Sequence, residues 1–329
     1  MIHLRIVAPE RKAQATLETL ERFGSVCNIV HLPGAARRPE GDVILVDVAR
    51  EDTSMVIADM RALGLKEEGS ISLVEIDSQI SDAADAAIEN AEGLPSDAVV
   101  WEEVEQRTSE QVELSGVFLA FMVVAGLLAM MGIYQNSAIL IVGAMVVGPE
   151  FGPLAGLCVA LIQRRAPLAR RSFRALAVGF AIAIAAVYLT TLLFRAVGLF
   201  DDDFSLDNHS FANLISSPDF FTFFVAACAG AAGMLSLSTA KSGALIGVLI
   251  SVTTIPAAAN VGVAAAYEDW DTCLGSLEQL GINLGSIVGS GVVVLWLQRL
   301  HYTRRRHKLR AARGLTRTSR ATTRSRPSS

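Results

Sequence analysis

The chain has 329 residues, 52% hydrophobic and 19% charged, with a mean hydropathy of +0.44, which excludes a soluble domain of ordinary charge content and points to a membrane protein. Its charge is polarised: residues 1–113 hold 10 Lys and Arg against 23 Asp and Glu, whereas residues 299–329 hold 11 basic residues and no acid. Four scattered cysteines, five distant histidines and the lack of HExxH, GxSxG or Walker runs exclude a zinc knuckle, a disulfide framework and the commonest catalytic motifs, so no metal, cofactor or nucleic-acid partner is expected.

In residues 1–78 short β-branched runs alternate with amphipathic charged stretches. Strands are predicted at 2–8, 25–32, 42–48 and 70–76 and helices at 11–23 and 51–63, each helix stopped by a glycine, Gly24 or Gly64, free to take positive φ. This βαββαβ order predicts an α/β ferredoxin-like domain, which the missing signal peptide keeps in the cytoplasm. Residues 79–113 form a connector that becomes an acidic helix at 99–113, with Trp101, Val104 and Val112 as a partial apolar stripe for packing on the first domain or a neighbouring subunit.

Residues 114–300 contain six apolar segments, 114–134, 137–162, 173–197, 220–238, 243–267 and 280–300, each near the ~20 residues that cross a bilayer. Basic residues orient them. Arg164, Arg165, Arg170, Arg171 and Arg174 follow the second segment, Lys241 follows the fourth and eleven bases close the chain, whereas the other side holds Arg195 and acids such as Asp203 and Asp271. Both termini are therefore expected in the cytoplasm of a prokaryotic cell, with the chain a multi-pass protein of the plasma (inner) membrane. The tail, 301–329, is expected to be disordered and to meet anionic lipid.

Two segments are interrupted. Gly148, Pro149, Glu150, Gly152 and Pro153 fall in the middle of the second, and Thr253, Thr254 and Pro256 in the fifth, where the hydroxyls could cap carbonyls that the proline leaves free. A broken helix at membrane depth survives only inside protein or beside a wet cavity. Segments one to three begin inside and four to six outside, so the chain reads as a helical bundle with a 3+3 inverted repeat and one broken helix per half, the pattern of a transporter site at the midplane. Glu150 is the one acid well inside a segment. An ionised carboxylate there costs at least ~2.5 kcal/mol, so it is expected to be protonated or hydrated, either as a proton or cation site or as a neutral partner for open carbonyls. Asn260 and Asn283 are lesser pathway candidates, and Gly281, Gly285 and Gly289 make a smooth face for another helix of the same chain or of another copy in a homo-oligomer.

The run Gly143-Ala144-Met145 through Pro149 to Gly152-Pro153 resembles the GAM-x3-P-x2-GP signature of a prokaryotic membrane family known as domain of unknown function 389, and the stretch from Leu245 through Pro256 to Gly262 resembles a later segment of it. The resemblance covers about residues 110–300. It implies the architecture more than an activity, and Glu150 stands where that family usually has an apolar residue. The leading expectation is a secondary transporter or channel for an ion or small solute with a cytoplasmic regulatory domain. A membrane-anchored ligand sensor or oligomeric scaffold is the alternative. An enzyme is not expected, because a lone Glu without a second acid, metal ligands or a nucleophile is a poor catalytic set.

Overall fold

The computed structural model describes residues 1–91, 99–200, 210–217, 219–238 and 253–324. The chain divides into two compact units, one built on Met1–Val104 and the other on Glu105–Leu237 and Lys241–His301.

The first unit runs β1 (Ile2–Ala8), α1 (Glu10–Leu20), β2 (Val26–Arg37), β3 (Glu40–Val48), α2 (Arg50–Ala62), the short α3 (Leu65–Glu68), β4 (Ser70–Glu75) and α4 (Asp82–Glu89). Its four strands form one antiparallel sheet in the order β2-β3-β1-β4. Side chains alternate across a strand, so Ile2, Leu4 and Ile6 of β1 and Ile44, Val46 and Val48 of β3 share one face, buried with Leu20 of α1 and Ile57 and Met60 of α2. Gly64 takes the positive φ expected of it, +73°, but Gly24 does not; α1 ends earlier, at Leu20, and the left-handed residue nearby is Asn28. Asp47 accepts hydrogen bonds from Asn28 Nδ2 at 2.8 Å and Gln79 Nε2 at 2.9 Å and pairs with His3 Nδ1 at 2.7 Å. Burial alone would push its carboxyl up, but the bonds from Asn28, His3 and Gln79 together outweigh that and hold it below the usual carboxylate range.

The connector helix α5 (Trp101–Gln111) begins in this unit. Ser54 of α2 donates to Glu102 at 2.8 Å and accepts from the Trp101 amide at 3.1 Å, and the buried Arg50 guanidinium bridges Glu75 at 2.7 Å and Glu103 at 3.0 Å. Its later residues belong to the second unit, where Val112 beyond its end is buried against Gly156. Of the apolar stripe, Val104 and Val112 are buried within this chain.

The second unit contains α6 (Gly116–Tyr134), α7 (Ala138–Val147), α8 (Phe151–Gln163), α9 (Ala166–Ala196), α10 (Ser210–Ser216), α11 (Phe220–Ser238), α12 (Thr254–Ala266) and α13 (Trp270–Arg324). Among the described residues four helical stretches are long and apolar enough to cross a bilayer: α6, α9, α11 and Trp270–Arg304 of α13. A fifth arises if α7 and α8, bent by 52° at their break, count as one. Of the expected fifth segment only α12 is described, and residues 243–252 lie outside the described residues, as do Asp201, Asp202, Asp203, Asp207 and Lys241. With 13 residues α12 is about 20 Å long, short of a ~30 Å core. It is also interior: 12 of its residues are buried. A methyl on Gly262 would come within 2.8 Å of Val187 Cγ1, and one on Gly126 within 3.2 Å of Val187 Cγ2, so these glycines set how closely α12 and α6 approach α9.

α13 begins at Trp270, ten residues before the predicted apolar segment, with Asp271 in its first turn, where an acid suits the positive end of the helix. Its bounds extend to Arg324.

Candidate functional site where two interrupted helices meet

The break between α7 and α8 consists of Gly148, Pro149 and Glu150. Gly148 closes α7 in an extended conformation, φ −63° and ψ 127°, and Glu150 caps α8. Pro153, expected to disrupt the helix, is instead the third residue of α8, and Pro256 is the third residue of α12. A first-turn amide has no intrahelical acceptor, so proline is tolerated at both places. Each half-helix is 13 residues long with its proline at the same position.

The two breaks are joined side chain to side chain. Thr254 Oγ1, on the first residue of α12, donates to Glu150 Oε1 at 2.8 Å, and both residues are buried. Glu150 is 3% exposed, and its Oε2 has no hydrogen-bond partner among the described residues. The carboxyl folds back over Gly148: a methyl there would run into Glu150 Oε2 and come within 2.8 Å of Ile255 Cγ1. Glycine at 148 therefore makes the room in which Glu150 and the start of α12 fit. Gly152 serves a different approach, since a methyl on it would lie 2.7 Å from Gln111 Cβ at the end of α5.

Thr253 accepts from Asn283 Nδ2 of α13 at 2.9 Å. Both threonine hydroxyls thus make bonds to residues outside α12, and the carbonyl at 252 that Pro256 was expected to leave for capping lies outside the described residues. Asn260, one and a half turns into α12, donates through Nδ2 to Ser276 Oγ at 2.8 Å and to the Ala212 carbonyl at 3.3 Å. Of the residues singled out from sequence, Gly148, Glu150, Thr253, Thr254 and Asn283 come together, Pro149 completes the break, and Asn260 lies deeper along α12.

A feature that the sequence reading missed extends this site. Thr272, Ser276, Gln279, Asn283 and Ser286 of α13 are all buried and recur at steps of four, three, four and three, which is one face of a helix. The polar residues in an otherwise apolar run were the signal, passed over in favour of the glycines. Gly281 and Gly285 lie two residues round from that stripe, on the far side of the helix, and Gly289 lies about 60° round from Ser286; all three are exposed, and no described residue comes within 4 Å of a methyl placed on any of them. Close approach to α13 occurs instead at Gly275, where a methyl would run into the Ser216 carbonyl, and at Gly291, where one would lie 2.8 Å from Met234 Cγ and 3.0 Å from Cys158 Sγ.

An uncharacterised protein of Methanocaldococcus jannaschii, MJ0678, is 26% identical over 205 residues, which is 61% of each chain. The chain thus spans about three fifths of that relative's length. No solved structure matches. The family model of Domain of unknown function (DUF389) matches residues 145–289, the stretch that holds α8, α12, the end of α7 and the polar face of α13.

Proposed function

We propose that this integral membrane protein is a secondary transporter or channel for an ion or small polar solute, whose pathway passes the junction of α7, α8 and α12. The observation that carries the reading is the Glu150–Thr254 hydrogen bond, which draws two short buried half-helices from distant parts of the chain to one polar point. Broken helices with a carboxylate at their meeting place cost stability in an apolar surrounding, and binding or conducting a solute is what such a device serves. The matching lengths and proline positions of α8 and α12 support an inverted 3+3 arrangement of six spans, with the segment before α12 completing the fifth. The basic residues after α8 and in the tail support an orientation with both termini in the cytoplasm of a prokaryotic plasma membrane.

The first unit, in this reading, is a ferredoxin-like regulatory domain. Its strand order and connectivity support that assignment. The test is flux: purified protein in liposomes, assayed against a panel of ions and small metabolites, accumulates at least one of them, with Glu150→Leu reducing its rate. Folded, correctly inserted protein that moves none of the panel rejects transport and leaves an anchored sensor.

A further inference from the structure

The buried face of α13 carries a hydrogen-bond imbalance that names a ligand class. Ser276 Oγ donates to the Thr272 carbonyl at 2.7 Å and so accepts from Asn260 Nδ2. The Ala212 carbonyl also accepts from Asn260 Nδ2, and these two bonds fix which way the amide faces. Thr222 Oγ1 donates to Asp219 Oδ1 at 3.0 Å, so it accepts the 3.5 Å bond from Gln279 Nε2 and fixes that amide too. Each amide nitrogen is thereby used. Asn260 Oδ1, Gln279 Oε1 and Glu150 Oε2 remain buried without a hydrogen-bond partner among the described residues. These three acceptors, one of them on a carboxyl group, belong to three elements: Glu150 before α8 is tied to the start of α12 through Thr254, Asn260 lies on α12, and Gln279 lies on α13 one turn beyond the Ser276 that Asn260 binds.

Buried acceptors call for donors or positive charge. The charge count sets the valence. The C-terminus of α7 and the N-terminus of α8 meet at the same break, and their partial charges of opposite sign, roughly half a unit each, offset one another. With Glu150 ionised, as a bound cation favours, its carboxylate is opposed only by the N-terminus of α12, so the site then holds between about one half and one negative charge. A monovalent ion balances that; a divalent ion would leave uncompensated charge at membrane depth. Every available ligand atom is an oxygen of a carboxylate, hydroxyl or amide, the set that suits hard cations rather than thiolate- or imidazole-seeking metals. Thr254 and Asn260 are six residues apart on α12, about 9 Å, so the acceptors make two successive levels and not one cage.

Resting on the transport reading above, we infer that the solute is a small monovalent alkali cation, held first at the Glu150, Thr253 and Asn283 level and passed along the Asn260, Ser276 and Gln279 level. Successive weak positions suit conduction.

The test is equilibrium binding of radioactive sodium and rubidium to the purified full-length protein in nanodiscs, with choline as the control cation, alongside the liposome flux assay. Saturable binding of one of the two ions, displaced by the unlabelled ion and not by choline, is expected. Glu150→Gln is expected to weaken it by roughly tenfold or more, a difference of about 1.4 kcal/mol, and Glu150→Asp, which keeps the charge, to weaken it less. Gln279→Met, which removes an acceptor of the second level, is expected to slow cation flux by roughly tenfold. Folded protein that binds neither ion saturably, or binding unchanged in Glu150→Gln, overturns the inference. Flux of a neutral solute without cation binding overturns it while sparing the transport reading. Cation binding without flux of any solute overturns the transport reading and the passage along the second level with it, leaving only the cation site at Glu150.

Discussion

The bond between Glu150 and Thr254 is the joint on which the site depends, and a double-mutant cycle measures it. Thr254→Val removes the hydroxyl at almost constant shape. In the native background Glu150 Oε1 then loses the 2.8 Å bond that it accepts, and its Oε2 already lacks a partner among the described residues. A buried polar group stripped of its partner costs about 1–3 kcal/mol. Thr and Val are both β-branched and of similar helix propensity, so little else changes at this first residue of α12. About 2 kcal/mol is therefore expected, close to a thirtyfold change in the folded-to-unfolded ratio.

In a Glu150→Leu background the carboxylate is gone, and Thr254→Val should cost less than about 0.5 kcal/mol, because no charged acceptor is abandoned. The coupling, about 1.5 kcal/mol or more, is read by reversible unfolding in mixed micelles for the four proteins of the cycle. Its size also reports the state of Glu150: bonds to charged groups contribute roughly 1.5–3 kcal/mol and neutral ones about 0.5–1.5. An equal cost of Thr254→Val in both backgrounds refutes the reasoning, since the two breaks would then not meet through this pair.

Gly148→Ala is expected to destabilise by about 1–3 kcal/mol through overpacking, because its methyl would press on Glu150 Oε2 and on Ile255; thermal unfolding checks it, with Ile255→Val as the second change that should recover part of the loss. Asp47 has a carboxyl held below its ordinary pKa of about 3.9, so its stabilisation of the first unit is present above that value and lost as pH falls through the lower, folded value. Hydrogen-exchange protection of β1 and β3 should accordingly drop in acid below about pH 4, and Asp47→Asn should flatten that dependence. A cysteine replacing Asp271, in the first turn of α13, should react with an impermeant thiol reagent from outside the cell; reaction only from the cytoplasm would contradict the orientation given by the basic residues.

The strands of the first unit were legible because a half-buried sheet imposes a period of two on the sequence, and Ile2, Leu4 and Ile6 obey it. The breaks were legible too, since proline and glycine act on their own backbone. What could not be read locally was which side of each proline would be helical: Pro153 and Pro256 look like disruptors in the sequence but occupy first turns, where the lost amide costs nothing. The joint itself required knowing that residues 104 positions apart share a hydrogen bond, and no periodicity carries that. The α13 face shows the remaining difficulty. Glycines at 281, 285 and 289 and polar residues at 272, 276, 279, 283 and 286 both satisfy helical spacing, and Gly281 and Gly285 lie nearly opposite the polar stripe because two residues turn about 200°. Sequence alone offers both as packing faces. The choice falls to energetics: an amide or hydroxyl in hydrocarbon needs a partner and a glycine does not, so the polar stripe turns inward to Asn260 and Thr253 and the glycines are left on the outer surface. On the proposed transport reading, these interior groups, buried with partners, are also the ones able to exchange those partners for a passing ion.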